Sequence, residues 1–170
     1  MYRINRHTQK GFSLIEALVA FLIVSVGMLG IASLQTTSLK SGHTAAMRTV
    51  AVMKADEILE SMRSNLAALN DYTAGAGDMG TDNGCSQTTV ASATCTPTQM
   101  ARDEIFRWKR SLIEALPNNA STTASVVVTP PAPPSTMTTV VVTINWSERD
   151  VENAGSTNMN YSVAVQMEQN

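Results

Sequence analysis

KGFSLIEALVAFLIVSVGMLGIASLQ, residues 10–35, is the stretch on which the reading of this chain turns. From Phe12 to Leu34 it is one apolar run of 23 residues, broken by a single charge, Glu16. At about 1.5 Å rise per residue, a helix of that length crosses a bilayer core of about 30 Å. A carboxylate at membrane depth costs about 2.5–3.5 kcal/mol even on lenient insertion scales. Glu16 therefore calls for a partner.

The flanks narrow the choice. Arg3, Arg6 and Lys10 precede the run and no acid does. A basic start followed by an apolar run is also the pattern of a secretory signal, but this run is too long for one. No small-x-small site clearly ends it, and Gly30-Ile31-Ala32 is a weak imitation. A single-pass anchor fits better. The excess of basic residues then puts residues 1–10 in the cytoplasm and everything beyond about residue 35 on the far side.

Size and charge exclude other classes. The 170 residues suffice for one modest domain with appendages, and the net charge of −2 argues against a broadly basic nucleic-acid surface. Cys85 and Cys95 are an even, closely spaced pair beyond the anchor, which suggests one disulfide in an oxidising compartment. A zinc site is a poor alternative, because the only histidines are His7 and His43.

The start, Gly11-Phe12-Ser13-Leu14-Ile15-Glu16 after a short basic leader, resembles the class III signal of type IV pilins and type II secretion pseudopilins. The resemblance implies that a membrane peptidase cuts between Gly11 and Phe12, that residues 1–11 leave as a leader, and that the new N-terminal Phe12 is N-methylated. It also explains Glu16. A helix places residues i and i+4 on one face, so Glu16 lies one turn beyond the amine on Phe12. It can neutralise that buried charge in its own chain or in a neighbouring subunit, where a lone charge would not be tolerated. The alternative is a partly exposed Glu favoured by the helix dipole.

Beyond the anchor, Val52, Ala55, Leu59, Met62, Leu66 and Leu69 step by three and four, an amphipathic stripe. The sequence therefore predicts one helix from about residue 12 to 70. Residues 12–34 form its transmembrane and filament-core part, and residues 35–70 its amphipathic second half. Gly27, Gly30 and Gly42 are weak points in it. Many major pilins carry a proline where this chain has Ser33, so no proline kink is expected there.

Residues 71–170 make the expected periplasmic head. Residues 71–98 are rich in Thr, Ser, Gly and Ala and read as a surface loop stapled by Cys85–Cys95. Gly75-Ala76-Gly77-Asp78-Met79-Gly80 matches a nucleotide-binding fingerprint by spacing, but a helix precedes it and none opens on it, so the match is chance. Asp78, Asp82 and Asn83 do not fit a calcium loop. Residues 98–116 read as a second helix, with Thr98 as N-cap and Pro117 as terminator. Ala101, Ile105, Trp108, Leu112 and Leu116 form its buried stripe. Arg107, Lys109 and Arg110 read as a solvated face rather than a nucleic-acid site.

The rest is β in character. Ser125–Thr129, Thr138–Trp146 and Asn160–Glu168 read as strands of an antiparallel meander, with the Pro130–Pro134 run and a polar loop, Ser147–Met159, between them. Val140, Val142, Ile144 and Trp146 share one face, as do Tyr161, Val163, Val165 and Met167. The expected fold class is thus α+β, the type IV pilin fold: a long N-terminal transmembrane helix on a small antiparallel sheet, with a disulfide loop and a second helix. No catalytic, metal or cofactor constellation is visible.

Within the pilin family, Gly27-Met28-Leu29-Gly30-Ile31-Ala32-Ser33-Leu34-Gln35 is similar to the equivalent segment of PilV-type minor pilins. So, in patches, are Asp103-Glu104-Ile105, Trp108, Leu116-Pro117 and the strand ending in Trp146. The resemblance implies a subunit that waits in the inner membrane. It then joins other minor pilins in priming the type IV pilus and its tip complex, in support of twitching motility and adhesion. The implied partners are other minor pilins, the major pilin, the prepilin peptidase, the inner-membrane assembly platform and a tip adhesin. The runner-up is a minor pseudopilin of a type II secretion system. A DNA-binding competence pilin is a third reading. Loss of residues 1–11 leaves nine basic against fourteen acidic residues, a net charge of −5, which disfavours broad DNA binding.

Overall fold

A computed structural model of the chain describes residues 11–85, 95–117, 121–150 and 155–168. Arg3, Arg6 and Lys10, together with His7, lie outside the described residues, as does most of the segment between the two cysteines. The chain divides into two units, Met1–His43 and Thr44–Asn170.

The first unit holds the apolar part of α1 (Leu14–Ser64, 51 residues). Its start is set by Ser13, whose main-chain carbonyl accepts from the amides of Glu16 and Ala17 at 3.0 and 3.2 Å. Ser25 donates to the carbonyl of Phe21 at 2.8 Å, which satisfies its hydroxyl within the helix. Gly27 and Gly30 do not break the helix, and Ser33 sits in it without a kink-forming proline. By length and composition this helix is able to cross a membrane.

In the second unit the same helix presents Ala51, Ala55, Ile58, Leu59 and Met62 to the core. The expected helix to residue 70 is not continuous. It ends at Ser64, Asn65 leaves helical geometry at φ −133°, ψ 52°, and Leu66–Tyr72 follows as a 3-10 turn. Asn65 gains a partner by breaking the helix, because its side-chain amide donates to the Pro97 carbonyl at 2.9 Å. An asparagine able to bond backbone outside a helix is a natural exit point.

The second helix, α2 (Pro97–Ala115), starts one residue earlier than expected. Thr96, not Thr98, is the N-cap. Its hydroxyl accepts from the Gln99 amide at 3.2 Å, and the Gln99 side chain accepts from the Thr96 amide at 3.0 Å, a reciprocal capping box with Pro97 in the first turn. Thr98 instead bonds Asp71. The predicted stripe Ala101, Ile105, Trp108, Leu112 and Leu116 is buried throughout. Leu116 is extended (φ −102°, ψ 148°), as a residue before proline prefers to be.

The sheet is an antiparallel meander in the order β1 (Thr123–Thr129), β2 (Met137–Asp150), β3 (Gly155–Glu168). Ala124, Val126, Val140, Val142, Ile144 and Trp146 are buried on its inner face, and Val142 lies between Val126 and Val163 in register. The expected polar loop Ser147–Met159 is mostly strand instead. Ser147 pairs with Asn158 and Asp150 with Gly155, so the ladder extends through both segments. Polarity is misleading there, because residues 155–158 are exposed on both faces and backbone pairing alone needs no apolar side chain. Glu148 ties β2 to α1 by accepting from Trp146 Nε1 at 2.9 Å and from the Thr44 hydroxyl at 2.6 Å.

Candidate functional site

The first candidate site is the start of α1. Gly11 and Phe12 lie just ahead of the helix, and Glu16 sits in its first turn. Phe12 is 82% exposed, and Glu16 is exposed too. Leu14, Ile15, Leu18, Phe21, Leu22, Ile23 and the apolar residues that follow are exposed as well. An apolar helical surface of that extent around one carboxylate is unstable in water and suited to lipid or to other helices. The chemistry available here is charge pairing and packing. Among the described residues no group of His, Cys, Asp and Glu is placed to hold a metal ion.

The second candidate is the loop that the head carries against α2. Cys85 and Cys95 form a disulfide. Gly75–Gly80, which mimics a nucleotide fingerprint in sequence, is bound to the helix by its own backbone. Lys109, only 2% exposed, directs its ammonium at the carbonyls of Gly75 and Asp78, each at 2.6 Å. Burial pulls the Lys109 ammonium below its ordinary pKa, and the Asp78 carboxylate partly offsets that. Arg102 donates to both carboxylate oxygens of Asp78 at 2.7 and 2.9 Å. That hydrogen bonding, aided by the Gly80 amide, lowers the Asp78 carboxyl below the usual range. Gly80 has a φ of +77°, and the next amide, Thr81 N–H, donates to the Arg102 carbonyl at 3.1 Å. Asn83 completes the seam, with its amide donating to the buried Asp103 at 2.8 Å and its side chain to the Gln99 carbonyl at 2.9 Å.

These contacts revise the reading of Arg107, Lys109 and Arg110 as one solvated face. Lys109 is buried under the loop, Arg107 pairs with the buried Asp103 at 2.8 Å, and only Arg110 remains mostly exposed, 3.6 Å from Glu114. A helical period of 3.6 turns neighbouring residues to different sides, so three cations within four residues seldom make one patch. The alternation that marked Ile105 and Trp108 as buried already placed Lys109 beside them. The missing signal was the demand of a tight loop for a donor to its carbonyls.

On the other side of α2, the Tyr72 hydroxyl meets the Glu104 carboxylate, with the Ser61 carbonyl at 3.2 Å. Burial first, and the Glu104 hydrogen bond second, raise the Tyr72 hydroxyl well above its ordinary pKa. An open depression of about 470 Å³ at the far end of the sheet is lined, among the described residues, by Ser121, Asn145, Trp146, Asn158, Met159 and Asn160.

Comparison with known families finds two matches, which together cover residues 6–106. Residues 6–32 match the prokaryotic N-terminal methylation motif, and residues 33–106 match the family described as type IV pilin Tt1218. No curated protein and no solved structure matches. Pilin families are structural rather than enzymatic. The methylation motif, the pilin-family match and a long apolar helix followed by a disulfide-bearing head with a three-stranded antiparallel sheet fit a membrane-anchored type IV pilin subunit.

Proposed function

We propose that this chain is a minor pilin that takes part in priming and building a type IV pilus and its tip complex, and so supports twitching motility and adhesion. The observation that carries the reading is the start of α1. Gly11 and Phe12 stand immediately before an exposed apolar helix, and Glu16 follows Phe12 by one turn. The prepilin peptidase cuts between Gly11 and Phe12, Phe12 is N-methylated, and Phe12–Leu34 holds the subunit in the inner membrane with its head in the periplasm. Assembly then exchanges lipid contacts for helix–helix contacts, and Glu16 pairs the Phe12 amine within the subunit or across to a neighbour. The assignment to the minor, PilV-like class is supported by residues 27–35, by the Asp103–Trp108 segment of α2 and by Trp146 on β2.

The partners in this reading are the other minor pilins, the major pilin, the assembly platform and a tip adhesin. The test is deletion of the gene in a strain that cannot retract its pili, followed by a count of surface filaments. A sharp fall restored by the wild-type gene is the expected result. An unchanged count overturns the priming role and leaves a specialised or redundant tip component, or a secretion pseudopilin.

A further inference from the structure

We propose that Asn83-Gly84 is a latent modification site, at which Asn83 loses its side-chain amide to become aspartate or isoaspartate, and that α2 and the disulfide together hold it unreactive. The site is independent of the filament role.

Asn83-Gly84 is the only Asn-Gly pair in the chain. Such a pair suits a turn because glycine takes the left-handed backbone freely, and Gly84 has a φ of +68°. The same lack of a side chain leaves the glycine nitrogen unhindered as a nucleophile toward the asparagine before it. In the reaction the Gly84 nitrogen attacks the Asn83 side-chain carbonyl carbon and gives up its proton to solvent. The carbon–nitrogen bond of the side-chain amide breaks, and ammonia leaves with a proton from water. Water then opens the resulting cyclic imide at either carbonyl. One opening gives aspartate and the other isoaspartate, in which the main chain runs through the former side chain. No oxidant or reductant enters.

Each group that must move is held. The Asn83 side-chain nitrogen, the atom that leaves, donates to the Gln99 carbonyl on α2 at 2.9 Å. The Asn83 main-chain N–H donates to Asp103 at 2.8 Å, and Asp103 is itself fully buried and paired with Arg107. The Gly84 N–H, on the attacking atom, donates to Asp82 at 3.1 Å. The chain is fixed on both sides of the pair as well. Just ahead of it, Thr81 N–H donates to the Arg102 carbonyl at 3.1 Å. Just after it, Cys85 is bonded to Cys95, which directly precedes Thr96, the N-cap of α2. Asn83 therefore cannot turn onto Gly84 without leaving α2, and the closed disulfide keeps it there. Opening the disulfide frees one of the two anchors.

The change runs one way. A carboxylate has no donor to give the Gln99 carbonyl, and isoaspartate adds a methylene to the main chain between the Thr81 and Cys85 anchors. A loop that has reacted no longer fits its seat on α2. The site thus records that the disulfide has been open.

The test follows Asn83 by peptide mapping and mass spectrometry in the full, detergent-solubilised chain held at mildly alkaline pH. The readouts are the amide-to-acid mass change and isoaspartate. Disulfide-closed wild type and Cys85→Ser with Cys95→Ser are compared with wild type unfolded and reduced in urea, the unprotected reference. The proposal expects the closed chain to react at least about ten-fold more slowly than the reference, and the serine variant to approach the reference. Gly84→Ala added to the serine variant should suppress the reaction, which identifies the attacking nitrogen. A closed chain as fast as the reference overturns the protection. A serine variant as slow as the closed chain overturns the part given to the disulfide. If the serine variant shows no thermal transition, Asp103→Ala combined with Arg107→Ala decides, because it keeps the disulfide and leaves neither charge unpaired. That variant should react faster than closed wild type, and an unchanged rate overturns α2 as the guard.

Discussion

Trp108 on α2 donates its indole N–H to the main-chain carbonyl of Lys54 on α1, at 2.6 Å. That bond joins the two helices of the head through a carbonyl whose own helical partner is already in place. It lets a large ring lie 2% exposed without leaving its donor bare.

Trp108→Phe keeps much of the buried ring and removes the donor, so the head should lose about 1–2 kcal/mol, whereas Trp108→Ala should lose about 3–5 kcal/mol. Urea unfolding of the detergent-solubilised chain, followed through Trp146, measures both. Equal losses in the two variants would mean that packing contributes little and the bond almost everything.

Two glycines with positive φ should respond differently. At Gly80 an added Cβ would stand 2.6 Å from the Arg102 carbonyl oxygen and 2.7 Å from the Phe106 amide nitrogen, both rigid helix backbone. Gly80→Ala should cost about 2–4 kcal/mol, from the left-handed backbone and the overlap together. Gly84 has φ +68° and open space around its Cβ position, so Gly84→Ala should cost only about 1 kcal/mol. The difference between the two unfolding midpoints is the readout.

These loops also show what was legible in the sequence and what was not. Periodicity revealed the anchor, the Ala101–Leu116 stripe and the Val140–Trp146 face, because burial of one face imposes 3.6 or 2.0 directly on residue type. It missed the exit at Asn65, where a single side-chain bond to Pro97 decides where a still-amphipathic stretch leaves the helix. It placed the cap at Thr98, because both threonines have the right chemistry and only the Gln99 spacing favours Thr96. It read Ser147–Met159 as loop because strand pairing there rests on backbone bonds that polar residues make equally well. It left Lys109 on the surface, since the carbonyls that hold it belong to a loop 31 and 34 residues away. In the candidate site, the Gly11, Phe12 and Glu16 spacing was readable outright, whereas the Asp78–Arg102–Lys109 seam exists only in three dimensions.

The head should have an acid limb and an alkaline limb of different origin. Asp78 has a lowered carboxyl pKa in the folded state, owing first to Arg102. Its contribution is present above the unfolded carboxylate value of about 4 and is lost as pH falls through the folded value. Asp78→Asn should flatten stability against pH in that acid range. Tyr72 has a raised value, so its contribution is present below about pH 10 and is lost as pH rises further. Tyr72→Phe should flatten the alkaline limb and leave the acid limb alone. A pH series of thermal melts on the three proteins checks both signs.

At the helix start, Glu16→Ala should still insert and still be cut, yet enter filaments poorly. Glu16→Gln should behave the same way, because the pairing needs charge and not shape. The ratio of filament-borne to membrane-borne subunit, by immunoblot of sheared and cell fractions, is the measure. Normal incorporation of either variant would remove charge pairing from the account.

The most direct measurement is the intact mass and N-terminal sequence of the chain recovered from sheared surface filaments. The account predicts a protein that begins at Phe12 and carries one added methyl group on its amine. A chain that still begins at Met1, or one cut within or after the apolar run, would contradict it.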